Sequence, residues 1–301
     1  MSNPDNPYSE GCAWIDDGYV PISEARIPLT DTGFTRSDLT HDVVAVWKGK
    51  FFRLEDHLDR FESGWTLLRM NPPHDKDSIR QILMECVRRT QLQDAYVQMI
   101  MTRGVPLPGV RDPRMLQNRF YAFAIPYIWI FQPDQQEIGC HLVISTETIR
   151  IPTKAVDPTI KNFHWGDLVR GLFEAYDRGG QTVLLEDGDG MVTEGPGFNV
   201  FACHDGVVRT PPEGVLLGIT RRTAIELAAE QGIQVQEESF SSDVLRSSDE
   251  VFLTSTAGGI MPVTIIDGQP VGDGKPGPIT LRLRDRYWQA HDEKRWTTVV
   301  E

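Results

Sequence analysis

The stretch TVLLEDGDGMVTEGPGFNVFACHDGVVRTP, residues 182–211, decides what kind of fold this chain can have. Runs rich in Val, Leu and Phe are cut by Asp-Gly and Gly-Pro pairs, and they read as successive strands joined by turns. A doubly wound fold needs a helix after each strand, so regular βαβ alternation is excluded. Downstream, GITRRTAIELAAEQG (218–232) has the pattern of a helix with Thr220 at its N-cap. EVFLTS (250–255), expected as the last strand, runs into TAGG. Upstream, HLVIST (141–146) precedes a loop containing Lys161 and a helix on which Leu168, Leu172, Phe173 and Tyr176 share a face.

Further out, DVVAVWKGKFFRL (42–54) reads as a hairpin turning at Lys48-Gly49-Lys50. Leu58, Phe61, Trp65 and Leu68 form one helical stripe, and Ile79, Ile82, Leu83, Cys86 and Val87 a second. Two strands, AYVQMIMTR (95–103) and RFYAFAIPYIWI (119–130), flank a Gly/Pro-rich loop at 104–113. The polar stretch FQPDQQEIG (131–139) contains the expected boundary. The expectation is a two-domain α/β protein of the α+β type: a small N-terminal α/β domain at 1–131, a linker at 132–139 and a larger domain at 140–301. A length of 301 residues agrees with two cores.

Composition narrows the function. Forty-three acidic against 30 basic side chains give a formal charge of -13, with no basic cluster, so nucleic acid is not an expected partner. The longest apolar run, residues 121–131, is broken by Pro126 and too short to span a membrane, and MSNPDNPYSEG has no features of a secretory signal. Four scattered cysteines and no HExxH pattern point to a reducing cytoplasm and no metal site.

Against that background three turns stand out. GIT (218–220) sets a glycine and a hydroxyl where a helix begins, a favourable place for a phosphate. STAGG (255–259) sets two hydroxyls and two glycines at a strand end. DPTIKNFHWGDL (157–168) places Lys161 between a turn and a helix. Arg60 lies just off the first helical stripe, within reach of the same dianion. Taken singly, Thr220 reads more readily as a plain helix cap and Arg60 as a surface cation, and Glu194 can be read as solvent-facing beside plain turn glycines. Taken together, a lysine amine, a phosphate cradle and a lone carboxylate are what pyridoxal phosphate needs: a Schiff-base partner, an anchor, and an acid beside the pyridine nitrogen.

The motifs FFRLEDHLDRF, DPTIKNFHWGDL, TEGPGFNVF, GVLLGITRR and STAGGIMP occur in an order that closely resembles the fold-type IV pyridoxal-phosphate enzymes, the class of branched-chain and D-amino-acid aminotransferases. Within that class the chain looks most like the (R)-selective amine transaminases. The resemblance implies a larger domain built around a barrel-like sheet, and a homodimer with the cofactor between the domains and active sites at the subunit interface. It also implies that Lys161 carries the cofactor, that Glu194 pairs with its ring nitrogen, and that Arg60, Ile219, Thr220, Ser255 and Thr256 bind its phosphate. Ping-pong half-reactions would move an amino group from a primary amine to pyruvate or a similar keto acid.

For the substrate, the resemblance points to Arg36, His41, Tyr96, Gln98 and Arg111, with Trp165 as a pocket wall or, equally, a core tryptophan. His41 and Gln98 depart from the tyrosine and glutamate of the family pattern. Arg111 matches an arginine that swings in for a carboxylate and out for an apolar group. A D-amino-acid or branched-chain aminotransferase is the nearest alternative reading, with a fixed carboxylate trap as its mark. An aminodeoxychorismate-type lyase or a non-catalytic binding protein ranks lower.

Overall fold

A computed structural model describes residues 6–300; residues 1–5, the start of the stretch read above for a signal, and residue 301 lie outside the described residues. The chain forms two compact units. Among the described residues, the first holds 6–128, the short segment Ile160–Phe163 and 293–300, and the second holds Trp129–Thr159 and His164–Asp292.

The first unit is built on β1 (Cys12–Ile15), β2 (Gly18–Pro21), α1 (Thr32–Arg36), β3 (Leu39–Trp47), β4 (Lys50–Phe52), α2 (Leu54–Leu67), α3 (Lys76–Thr90), β5 (Ala95–Thr102) and β6 (Arg119–Pro126). With the C-terminal strand Thr297–Val299 at one edge, its sheet runs C-terminal strand-β4-β3-β5-β6-β1-β2. The β3–β4 hairpin turns on Lys48 and Gly49 alone, with φ of 51° and 74°. Positive φ at both residues gives the turn whose twist matches its strands. Alternation along β3 sends Thr40, Asp42, Val44 and Val46 to one face and His41, Val43 and Ala45 to the other. The first face packs on α2, whose stripe of Leu54, Leu58, Phe61 and Trp65 is buried as the periodicity requires. Asp75 caps α3 by accepting from Ser78 N at 2.8 Å, and α3 buries Ile79, Ile82, Leu83, Cys86 and Val87.

Because β4 pairs with only Val46 and Trp47, it leaves the Leu39–Ala45 edge of β3 uncovered. The segment Ile160–Phe163, expected within the C-terminal domain, occupies that edge, with His41 N donating to Lys161 O at 3.0 Å. An exposed strand edge needs such a partner for its N–H groups.

The second unit comprises α4 (Pro133–Ile138), β7 (Cys140–Ile144), α5 (Gly166–Asp177), β8 (Thr182–Leu184), β9 (Glu194–Gly195), β10 (Phe198–His204), β11 (Val207–Thr210), α6 (Ile219–Glu230), β12 (Val235–Glu237), α7 (Ser242–Arg246), β13 (Glu250–Ser255), β14 (Gly259–Ile266), β15 (Gln269–Pro270) and α8 (Pro278–Ala290). The sheet order is β12-β11-β10-β13-β14-β7-β8, and no pairing closes it into a barrel among the described residues. Successive strands within 182–211 are present as read. Three readings change. Residues 132–139, read as a linker, contain α4, started by Pro133 at its first turn and a reciprocal Gln132–Gln135 capping box. EVFLTS is not the last strand, since β14 pairs with it from Ser255↔Gly259 onward. The N-cap of α6 is Gly218, which puts Thr220 at the second helical position.

Candidate active site

In the first unit the site starts from the edge of β3. Lys161 O accepts from His41 N at 3.0 Å and from Thr40 Oγ1 at 3.1 Å. Gly64 permits the approach of α2 that sets Thr40: a Cβ there would stand 2.5 Å from Thr40 Oγ1. On the opposite face of the strand, His41 Nε2 lies 3.3 Å from Asn162 O and Nδ1 lies 3.3 Å from Gln98 Nε2. A carbonyl oxygen only accepts, so Nε2 carries the proton and Nδ1 accepts from the Gln98 amide. Burial, and next the charge of Lys161, push the His41 pKa well below its ordinary value, in keeping with a neutral ring. Tyr96, two residues before Gln98 on the same face of β5, stacks at 6.4 Å on Phe123, and burial raises its phenol to about 12.

Arg60 is no simple surface cation. Its Nε donates to Asp42 Oδ2 and its Nη2 to Asp42 Oδ1, both at 2.8 Å, and His57 Nδ1 stands 2.8 Å from the same Oδ1. Asp42 is fully buried. Burial would raise its pKa, but the charge and hydrogen bonds of Arg60, with those of His57, outweigh it and hold the carboxyl well below the usual range. A bidentate pair aims the guanidinium as well as charging it. Arg36, at the end of α1, and Arg111, in the loop 103–118, are exposed and make no ion pair among the described residues.

The second unit gathers the other expected residues. Glu194 opens the tight hairpin of β9 and β10, turned by Pro196 and by Gly197 at φ 82°. Its Oε1 accepts from Arg150 Nε and Nη2, both at 3.2 Å, and its Oε2 from Leu216 N at 2.9 Å. Arg150 is braced in turn by Asp167 at 2.6 Å. Asn199, the Cα partner of Glu194, donates from Nδ2 to Leu216 O at 2.8 Å. The two side chains thus hold the loop that leads into α6. Gly218 at the N-cap leaves the first helical N–H groups without a side-chain cap, with Ile219 and Thr220 buried there. A Cβ on Gly218 would meet Asn199 Oδ1 at 2.3 Å. Ser255 ends β13 and accepts from Ala257 N at 3.2 Å, with Thr256 half-buried in the turn. Thr254 Oγ1, buried on the face it shares with Asn199, has no hydrogen-bond partner among the described residues. Trp165, 37% exposed, caps α5 rather than joining a core.

This arrangement fits a ring bearing a phosphate. An uncapped helix start beside an orphaned hydroxyl suits a dianion, and a buried carboxylate suits a protonated ring nitrogen, the two fixed to each other by Asn199 and the 216–218 loop. Composition and spacing gave no sign of His57, Arg150 and Asp167. Asp42, a charge at the head of the apolar run VVAV, carried the one signal.

Sequence comparison shows the class to which the chain belongs. The amino-transferase class IV family model matches residues 40–266, and the chain belongs to that family. It is an aminotransferase of fold type IV. It is 31% identical over 277 residues to a putative branched-chain-amino-acid aminotransferase of Methanocaldococcus jannaschii, covering 91% of this chain and 94% of that one. It is 30% identical over 280 residues to the D-alanine aminotransferase of Listeria innocua, covering 91% and 93%. The crystal structure of the branched-chain amino acid aminotransferase of Thermobaculum terrenum in its pyridoxal-phosphate form superposes with a TM-score of 0.85 at 28% identity, covering 98% of this chain and 99% of the other.

Proposed function

We propose that this protein is an (R)-selective amine transaminase that works with pyridoxal 5'-phosphate as a homodimer in the cytoplasm. Lys161 and Arg60 serve the same cofactor as Glu194, Ile219, Thr220, Ser255 and Thr256. When bound, the cofactor supplies an aldehyde for the amine and an electron sink for the substrate carbon.

The chain's own residues do the rest. The N–H groups at the start of α6, with Thr220 and the Ser255–Thr256 turn, hold the phosphate, and Arg60 adds charge in an orientation set by Asp42. Glu194, held in place by Arg150 and Leu216 N, would keep a proton on the ring nitrogen. Lys161 Nζ would be the base that takes up the proton of the substrate's α carbon. His41 borders the lysine segment, with Gln98 behind it and Tyr96 on the same face of β5. The observation that carries the amine-transaminase reading is the exposure of Arg36 and Arg111 without ion pairs among the described residues. No fixed cation then penalises an apolar substituent, and Arg111 moves in only for the keto acid. The (R) preference rests on the motif resemblance.

The amino-acid aminotransferase reading keeps one observation in its favour: the relatives above carry branched-chain or D-alanine names. Borohydride reduction and peptide mapping of the loaded protein should place the pyridoxyl mass on Lys161. Single-turnover absorbance with (R)- and (S)-1-phenylethylamine, D-alanine and L-leucine then decides the substrate. Fast reduction of signal by the (R)-amine supports the proposal, and turnover of an amino acid alone replaces it with the second reading.

A further inference from the structure

Three successive carbonyls around the lysine are all engaged. Ile160 O accepts from Asn162 Nδ2 at 2.8 Å, Lys161 O from His41 N and Thr40 Oγ1, and Asn162 O faces His41 Nε2 at 3.3 Å. The peptide planes on either side of the Lys161 Cα therefore depend on Asn162, whose side chain reaches back to Ile160. Asn162 is itself oriented by the imidazole on its own carbonyl. That imidazole is locked from behind by Gln98 on β5, and its face meets Phe163 at 4.4 Å between centroids.

We propose that His41 is a positioning residue for Lys161: its Nε2–H holds the Asn162 carbonyl, Gln98 holds its Nδ1, and the relay fixes the direction in which the lysine side chain leaves the backbone. This goes beyond a role in substrate contact and rests on the reading of Lys161 as the cofactor's lysine. The arrangement requires a neutral ring with one defined tautomer, because a doubly protonated imidazole has no acceptor for the Gln98 amide. The charged groups around the ring are Lys161 on the docked segment, Asp42 on β3 and Arg60 on α2. The two cations oppose protonation of His41, while Asp42 and the hydrogen bond to Asn162 O favour it. A lysine that must meet one carbon atom tolerates little freedom, about 0.5 Å in such sites.

The test separates the donor from the ring. His41→Gln keeps an amide donor near the Nε2 position and loses the ring; His41→Phe keeps the ring and its contact with Phe163 but loses the donor. Hydrogen exchange is followed by mass spectrometry on the peptide around 157–171 of the apoprotein, and cofactor affinity by absorbance titration. In His41→Phe the exchange of this peptide should rise roughly five- to tenfold and cofactor affinity fall by a similar factor, the worth of one hydrogen bond. His41→Gln should return both to within about threefold of the parent. If His41→Phe matches the parent, or His41→Gln behaves like His41→Phe, the relay is overturned. Should His41→Phe lose its circular-dichroism signature of folding, Gln98→Leu takes its place, and unchanged exchange there also overturns the proposal. The apoprotein exchange decides the relay even if no cofactor mass appears on Lys161, so failure of the functional reading is seen separately.

Discussion

At the scale of the residue, Arg60 shows how a partner changes the meaning of a side chain. Read alone, its removal costs one charge-assisted contact to a phosphate. The structure adds that Asp42 would then be left buried without a charged partner beyond His57, with the Val43 N–H as its other donor. Breaking a buried pair by deleting one partner costs more than the pair is worth, on the order of 3–5 kcal/mol. Arg60→Ala should therefore lower the unfolding free energy of the apoprotein by about that amount, measured by urea titration, as well as weaken cofactor binding. Removing both charges in Arg60→Ala/Asp42→Ala should recover a large part, and the double-mutant cycle should give a coupling of at least about 2 kcal/mol. Additive single effects would mean that the pair is not coupled. Arg60→Lys should not rescue fully, because an ammonium cannot make both contacts at once. Lys161, Glu194 and Arg60 stood out in the sequence as candidates because each stands in a motif. Their supports were not, since Arg150 lies 44 positions from Glu194 and a pair across that separation leaves no periodic trace.

At the scale of the element, legibility followed local physics. The helical stripes of α2 and α3 and the strand–turn rhythm of 182–211 come from nearest-neighbour periodicity, so the sequence alone displays them. The docking of Ile160–Phe163 on β3 does not, because it depends on β4 being too short to cover its neighbour. The start of α6 was misplaced for a related reason: Thr220 is a good cap by type, yet Gly218 takes the position because only a residue without Cβ fits against Asn199. That contact yields a prediction. Gly218→Ala should displace the 216–218 loop and cost roughly 1–3 kcal/mol, with cofactor affinity reduced about tenfold or more as the helix start shifts. Gly166→Ala, where the added Cβ meets nothing within 4 Å, should stay within about 0.5 kcal/mol of the parent. Thermal melting and cofactor titration of the two variants check this, and equal behaviour would remove the Gly218 contact from the phosphate cradle.

At the scale of the whole molecule, buried histidines link folding to pH. Burial, ahead of every other influence, pushes both His41 and His57 below their ordinary pKa, with Asp42 opposing the shift at each. Both folded values thus lie below the unfolded value of about 6.5, so below that pH the unfolded chain binds more protons and stability falls as pH drops. Between pH 7.5 and 5.5 a histidine kept neutral throughout contributes a loss of roughly 1.4 kcal/mol, and two give up to about twice that. Asp42 acts in another window: its depressed pKa gives stability that is complete above about 4 and lost only below. The formal charge of -13 works the opposite way, since acidification relieves self-repulsion, but surface charges are screened within about 8 Å at physiological salt. The histidines should win. Urea unfolding of the apoprotein at pH 7.5, 6.5 and 5.5 should show the decline, steepest below 6.5, and His41→Gln and His57→Gln should each flatten it by about one histidine's share. A profile that is flat or rises on acidification would show that one or both rings take up protons in the folded state, and the tautomer on which the hold on Asn162 depends would then be lost within this pH range.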